Sequence, residues 1–107
     1  MKIVRTTVVK PRAGFETRTA AILRELDEHL ALQPGFLESY EVVEEPGQLG
    51  RIALWESREA ADRAAKLDRT IALRARLHNL NGSSSEEHLL AVTSERHSGS
   101  PEPAQVA

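Results

Sequence analysis

Tyr40, Trp55, Arg74 and His78 are the side chains of this sequence best suited to act on a small molecule. The phenol of Tyr40 can orient a substrate carbonyl or donate a proton. The indole of Trp55 offers a flat face on which a planar ligand can stack. Arg74 and His78 stand one helical turn apart, so in a helix they share a face. An imidazole there can serve as a base or an axial ligand. His78 and Tyr40 are thus the candidate catalytic residues, with Trp55, Arg74 and Phe36 as candidate substrate-binding residues. Each also has an ordinary structural role: a histidine at a helix end on the surface or a subunit boundary, a strand-end tryptophan filling core volume, an interface tyrosine.

Other chemistries are excluded or unsupported. The chain has no cysteine, which removes disulfides, thiolate nucleophiles and Cys-based zinc or iron–sulfur sites. His29, His88 and His97 share no metal-ligand spacing, and Glu44-Glu45 reads as a solvated pair beside a turn. There is no Gly-rich phosphate loop and no nucleophile elbow. No metal, flavin or other cofactor is expected. A net charge of −2 leaves no basic footprint for nucleic acid. No apolar run is long enough to span a membrane, and the opening MKIVRTTVVK is too short and polar for a signal peptide, so the expected location is cytoplasmic.

The elements that must position these residues follow from periodicity. Residues 2–10 read as a strand, with Ile3, Arg5, Thr7 and Val9 on one face. From Phe15 to Leu32 the period becomes helical, with Phe15, Thr19, Ile22, Leu26 and Leu30 on one stripe and Leu23 beside it. Pro34-Gly35 stops that helix. Residues 36–43 form a second strand, on which simple alternation places Tyr40 with Phe36, Glu38 and Val42. Glu45-Pro46-Gly47 supplies the turn. A third strand, 51–55, sets Trp55 on a face with Ala53 and Arg51. Ser57 is an N-cap for the helical stretch 58–80. Within that stretch the apolar rows Ala60, Ala64, Leu67, Ile71 and Leu73, Leu77, Leu80 lie on different faces. A break is therefore expected near Asp68-Arg69-Thr70, with Asp68 as a second N-cap, and closure at Asn81-Gly82. Residues 83–85 read as loop, 88–94 as the last strand, and 97–107 as a disordered tail after a single domain of 1–96.

The order β-α-β-β-α-β predicts an α+β, ferredoxin-like domain: a four-stranded antiparallel sheet with helices on one face. The strands do not alternate cleanly. Val8-Val9, Phe36-Leu37, Val42-Val43, Ile52 to Trp55 and Leu89 to Val92 place apolar groups on both sides. The face away from the helices would be an exposed apolar patch, which predicts a homodimer through the sheet.

Pro34-Gly35-Phe36 at the second strand and Leu54-Trp55-Glu56-Ser57 at the end of the third, followed by a Glu- and Ala-rich helix start, resemble the antibiotic-biosynthesis monooxygenase-like family over about residues 1–96. The resemblance implies a dimeric α/β barrel with a pocket between sheet and helices. It implies small-molecule chemistry of the kind carried out by cofactor-free oxygenases on quinol-like substrates. The family's haem-degrading branch uses an Asn on the first strand and a Trp in the second helical region. Here that strand offers Thr6 and Thr7 and that region has no Trp, so haem degradation is not expected. The function so implied is cofactor-independent oxidation of a small aromatic or quinol-type molecule. The alternative is a non-catalytic dimeric ligand-binding or stress-associated domain.

Overall fold

The computed structural model describes residues 1–45, 47–81 and 86–99. Its elements are β1 (Ile3–Val9), α1 (Glu16–Ala31), β2 (Phe36–Glu45), β3 (Gln48–Trp55), α2 (Arg58–Ala65), α3 (Asp68–Leu80) and β4 (Glu86–Ala91). The four strands form one antiparallel sheet in the order β2-β3-β1-β4. This is the ferredoxin-like arrangement that the element order predicts. Among the described residues, no helix is long and apolar enough to cross a membrane.

The core lies between one sheet face and the helices. Ile22, Leu23, Leu26 and Leu30 of α1 and Leu73 and Leu77 of α3 pack with Ile3, Ala53 and Trp55 of the sheet. Thr19 is also buried on the α1 stripe, its hydroxyl donating to the Phe15 carbonyl at 2.7 Å. Small residues let α2 approach: Ala60, Ala61 and Ala64 are buried. Ser57 caps α2 by accepting from the Ala60 N–H at 3.1 Å.

The helical stretch does break, but the break falls at Lys66-Leu67, just ahead of the expected site. Leu67 is extended at φ −68° and ψ 143°, and it occupies the N-cap position expected for Asp68. Thr70 explains the position. Its hydroxyl donates back to the Ala64 carbonyl at 2.7 Å, an acceptor at the end of α2 whose backbone partner, the Leu67 N–H, is 3.4 Å away. Ile71 then falls on the exposed side while Leu73 and Leu77 enter the core.

Three further differences have local causes. β4 begins at Glu86 rather than at His88, because Glu86 and Glu87 pair with Val8 and Thr7 of β1. β3 extends back to Gln48, with Leu49 and Gly50 opposite Val9 and Val8. Asn81 is extended, bridges to Pro11 and accepts the Lys10 N–H on its side-chain oxygen at 2.6 Å. Pro46, Gly82, residues 83–85 and residues 100–107 of the expected tail lie outside the described residues, as do the side chains of Glu44 and Glu45.

Candidate functional site

A β-bulge decides which aromatics meet. Phe36 pairs with Trp55 and Glu38 with Leu54, so Leu37 is an extra residue in β2. Simple alternation put Phe36 with Tyr40; the bulge turns them to opposite faces. Phe36 packs edge-to-face on Trp55 beneath the helices, with centroids 5.5 Å apart and ring planes at 85°. Trp55 is fully buried there, and its indole N–H has no acceptor among the described residues. Tyr40 stands on the open face opposite Ile52 and is 58% exposed. Its hydroxyl donates to Glu38 Oε1 at 2.7 Å. That hydrogen bond, and then the carboxylate's charge, hold the phenol above its ordinary value.

Arg74 and His78 lie on α3, as their spacing predicts, but meet different surroundings. His78 is exposed. Arg74 points into the layer between α3 and the sheet, where it pairs with Glu87 of β4. The five candidate residues therefore divide into three places: Phe36 with Trp55 in the core, Tyr40 on the open sheet face, and Arg74 in the sheet–helix layer below an exposed His78.

The polar groups the structure does gather are centred on Arg74. On the helix-covered face, Thr7 sits opposite both Arg51 and Glu87, and Arg5 opposite Ala53 and Leu89. Arg5 and Arg51 are thus diagonal neighbours. Arg51 has a completely buried side chain and donates from Nε to Asp27 Oδ1 of α1 at 2.6 Å. Glu87 joins two cations, accepting from Arg5 Nη2 at 2.6 Å on one oxygen and from Arg74 Nη1 on the other. At the flank, Arg24 of α1 faces Glu41 of β2 at 3.5 Å. An opening of about 210 Å³ beside this cluster is lined by Arg5, Glu87, His88 and Leu89.

These arginines are strained electrostatically. Burial lowers Arg51 from its usual range, against the opposing pull of its hydrogen bond to Asp27. Burial, and next the positive charge of Arg5, lower Arg74 to about 10. Arg5, Arg51, Asp27 and Glu87 were not singled out as candidates by residue type. The signal was nonetheless present: Arg5 alternates with Ile3, Thr7 and Val9, and Arg51 with Ala53 and Trp55, which are core-facing positions. A cation on a core-facing register needs a buried partner. Among the described residues, no group of three His, Cys, Asp or Glu is placed to hold a metal ion.

No family model matches the chain, and no curated protein matches it in sequence. Solved structures do match. Rv0793 from Mycobacterium tuberculosis superposes with a TM-score of 0.83 at 17% identity, covering 91% of this chain and all of that one. SnoaB from Streptomyces nogalater, described as a cofactor-independent oxygenase, gives 0.77 at 19% identity over 88% of this chain and 95% of its own. A structure described as an antibiotic biosynthesis monooxygenase gives 0.76 at 19% identity over 88% of this chain and its own full length. At these identities the likeness is one of fold, and the chain has the ferredoxin-like fold of structures described as antibiotic biosynthesis monooxygenases.

Proposed function

We propose that this chain is a cofactor-independent monooxygenase-like protein that takes a small, electron-rich aromatic or quinol-type molecule into the sheet–helix layer. The observation that carries this reading is the near-complete superposition on SnoaB, a cofactor-independent oxygenase, combined with a buried polar cluster in the layer between sheet and helices. In such a reaction an activated substrate supplies the electrons to dioxygen. The protein's part is to exclude water, orient the substrate and donate hydrogen bonds to the oxyanion that develops. Arg74 is the donor best placed for this on the helix side. Trp55 and Phe36 form a rigid wall at one end of the layer. Tyr40 and His78 have solvent on their sides in a single chain, so their participation requires a second subunit or a substrate reaching the outer surface. The homodimer, through the open sheet face, is part of this proposal, as is a cytoplasmic location.

The test is oxygen uptake with a panel of hydroquinones, with and without the protein. Protein-dependent uptake that falls at least about tenfold in Arg74→Gln supports the reading, since a charge-assisted hydrogen bond contributes on the order of 1.5–3 kcal/mol. No uptake across the panel speaks against it. One observation favours a non-catalytic ligand-binding domain instead: Trp55 and Phe36 fill the core at their end of the sheet rather than lining an open slot. Ligand binding with no oxygen uptake is the result that selects this second reading.

A further inference from the structure

We propose that Arg5, Arg51 and Arg74 form the binding site for one small carboxylate anion between the sheet and helices α1 and α3. This deepens the reading of the sheet–helix layer as a ligand site and rests on that reading, but it does not require catalysis.

The first argument is from hydrogen bonds. Arg5 Nε, both Nη atoms of Arg51, Arg74 Nε and the Thr7 hydroxyl are all buried with no partner among the protein's own described atoms. Buried donors are normally satisfied, and one left without an acceptor is destabilising. Five such groups on three neighbouring guanidiniums and the threonine between them point to an acceptor that is not part of the chain. Arg51 is the strongest single indicator, because it is 1% exposed and so cannot turn its free nitrogens to solvent.

The second argument is from charge. Arg5 and Arg74 share the single carboxylate of Glu87, while Arg51 has Asp27 beside it and Glu41 opposite it on β2. The neighbouring Arg24 and Glu41 pair with each other. One positive charge is left over in a buried setting, where an unbalanced charge is costly. A monoanion balances it, whereas a phosphate dianion overshoots. The third argument is from shape. Guanidinium forks match planar two-oxygen acceptors, and a carboxylate can take donors from several nitrogens at once. Of the three arginines, Arg5 also lines an opening at the β4 edge, with Glu87, His88 and Leu89.

Calorimetric titration of the full chain with benzoate, its neutral isostere benzamide and inorganic phosphate tests this. Benzoate is expected to bind one per chain, at least about tenfold more tightly than phosphate, and benzamide to give no binding. Arg74→Gln should weaken benzoate by about tenfold or more, the loss expected for a charge-assisted hydrogen bond. Arg5→Gln serves as a second variant in case the first folds poorly. In nuclear magnetic resonance spectra, the Nε–H signals of Arg5 and Arg74 should shift with benzoate and stay in place with benzamide. Equal response to benzoate and benzamide, phosphate binding as tightly as benzoate, or benzoate affinity unchanged in both variants would each overturn the proposal. Benzoate binding without oxygen uptake on any hydroquinone removes the monooxygenase reading and leaves the anion site standing. Uptake on hydroquinones with no benzoate binding removes the anion site and leaves the enzyme.

Discussion

Arg51 and Asp27 form a pair whose members are unequally buried: the Arg51 side chain has no exposure and that of Asp27 has 18%. That inequality predicts an asymmetric response to truncation. Asp27→Asn leaves a fully buried guanidinium facing a neutral amide and should cost about 3 kcal/mol of folding stability. Arg51→Met removes the more buried charge and leaves a carboxylate with some access to water, so it should cost clearly less. Replacing both by Met and Leu should recover most of the loss, because a buried ion pair is often no more stabilising than an apolar pair of similar volume. Urea denaturation of the three variants measures this, and equal losses for the two single variants would show that the pair's burial does not govern its energetics. Glycines give a second contrast. A Cβ at Gly35, where φ is 89°, would meet the Ala60 Cβ at 2.3 Å, whereas at Gly47, with φ 85°, it would meet nothing. Gly47→Ala should therefore cost only the backbone penalty of about 1–2 kcal/mol. Gly35→Ala adds a forced separation of β2 from α2, and its midpoint in the same titration should fall well below that of Gly47→Ala.

At the scale of elements, His29 ties α1 to the junction of α2 and α3. Its Nε2 lies 2.9 Å from the Thr70 hydroxyl, and that hydroxyl already donates its proton to Ala64. The imidazole must therefore donate from Nε2, which fixes the proton on that nitrogen in the neutral ring. Burial, and then the charge of Arg69, hold His29 below its ordinary 6.5. A base lowered in the folded state takes up a proton on unfolding. Its contribution to stability is thus intact above about pH 6.5 and is lost as pH falls from there toward the folded value. Thermal melts between pH 5 and 8 should show the wild type losing more stability below pH 6.5 than His29→Gln does; parallel curves would exclude the linkage. The elements themselves were largely legible in the sequence, since β-branched runs, the α1 stripe, Ser57 and Pro34-Gly35 each act locally. The helix break was visible as a phase jump, but its position was not, because a backbone acceptor for Thr70 is invisible in residue types. The site was less legible. One extra residue in β2 separated Phe36 from Tyr40, and a guanidinium's burial depends on which helix lies across it. Residue type pointed to Arg74, but only the packing of α3 on β4 shows Glu87 joining it to Arg5.

For the whole molecule, the sheet has one face covered and one bare. Val4, Thr6 and Val8 of β1 are half-buried on the bare side, while Ile52, Tyr40 and Leu90 are exposed beside them. A second copy of the sheet laid against this surface would remove the apolar area from water at about 25 cal/mol per Å². Light scattering coupled to size exclusion at micromolar concentration should report twice the chain mass. Ile52→Glu, at the centre of the bare face, should give a folded monomer by circular dichroism; a wild-type monomer would remove the dimer from the proposal. The bulge at Leu37 has a bearing on how this chain tolerates changes of length. In a regular strand, losing one residue inverts every side chain on one side of the deletion. Between Phe36 and Tyr40 the strand already holds one residue more than its partner requires. Loss of Leu37 would flatten the bulge and leave Phe36 on Trp55 and Glu38 on Leu54. Loss of Ser39 could also be absorbed, with Leu37 taking the place opposite Leu54 and Glu38 turning inward beneath the helices. In this short stretch a one-residue deletion can be accommodated without displacing either the aromatic pair or Tyr40.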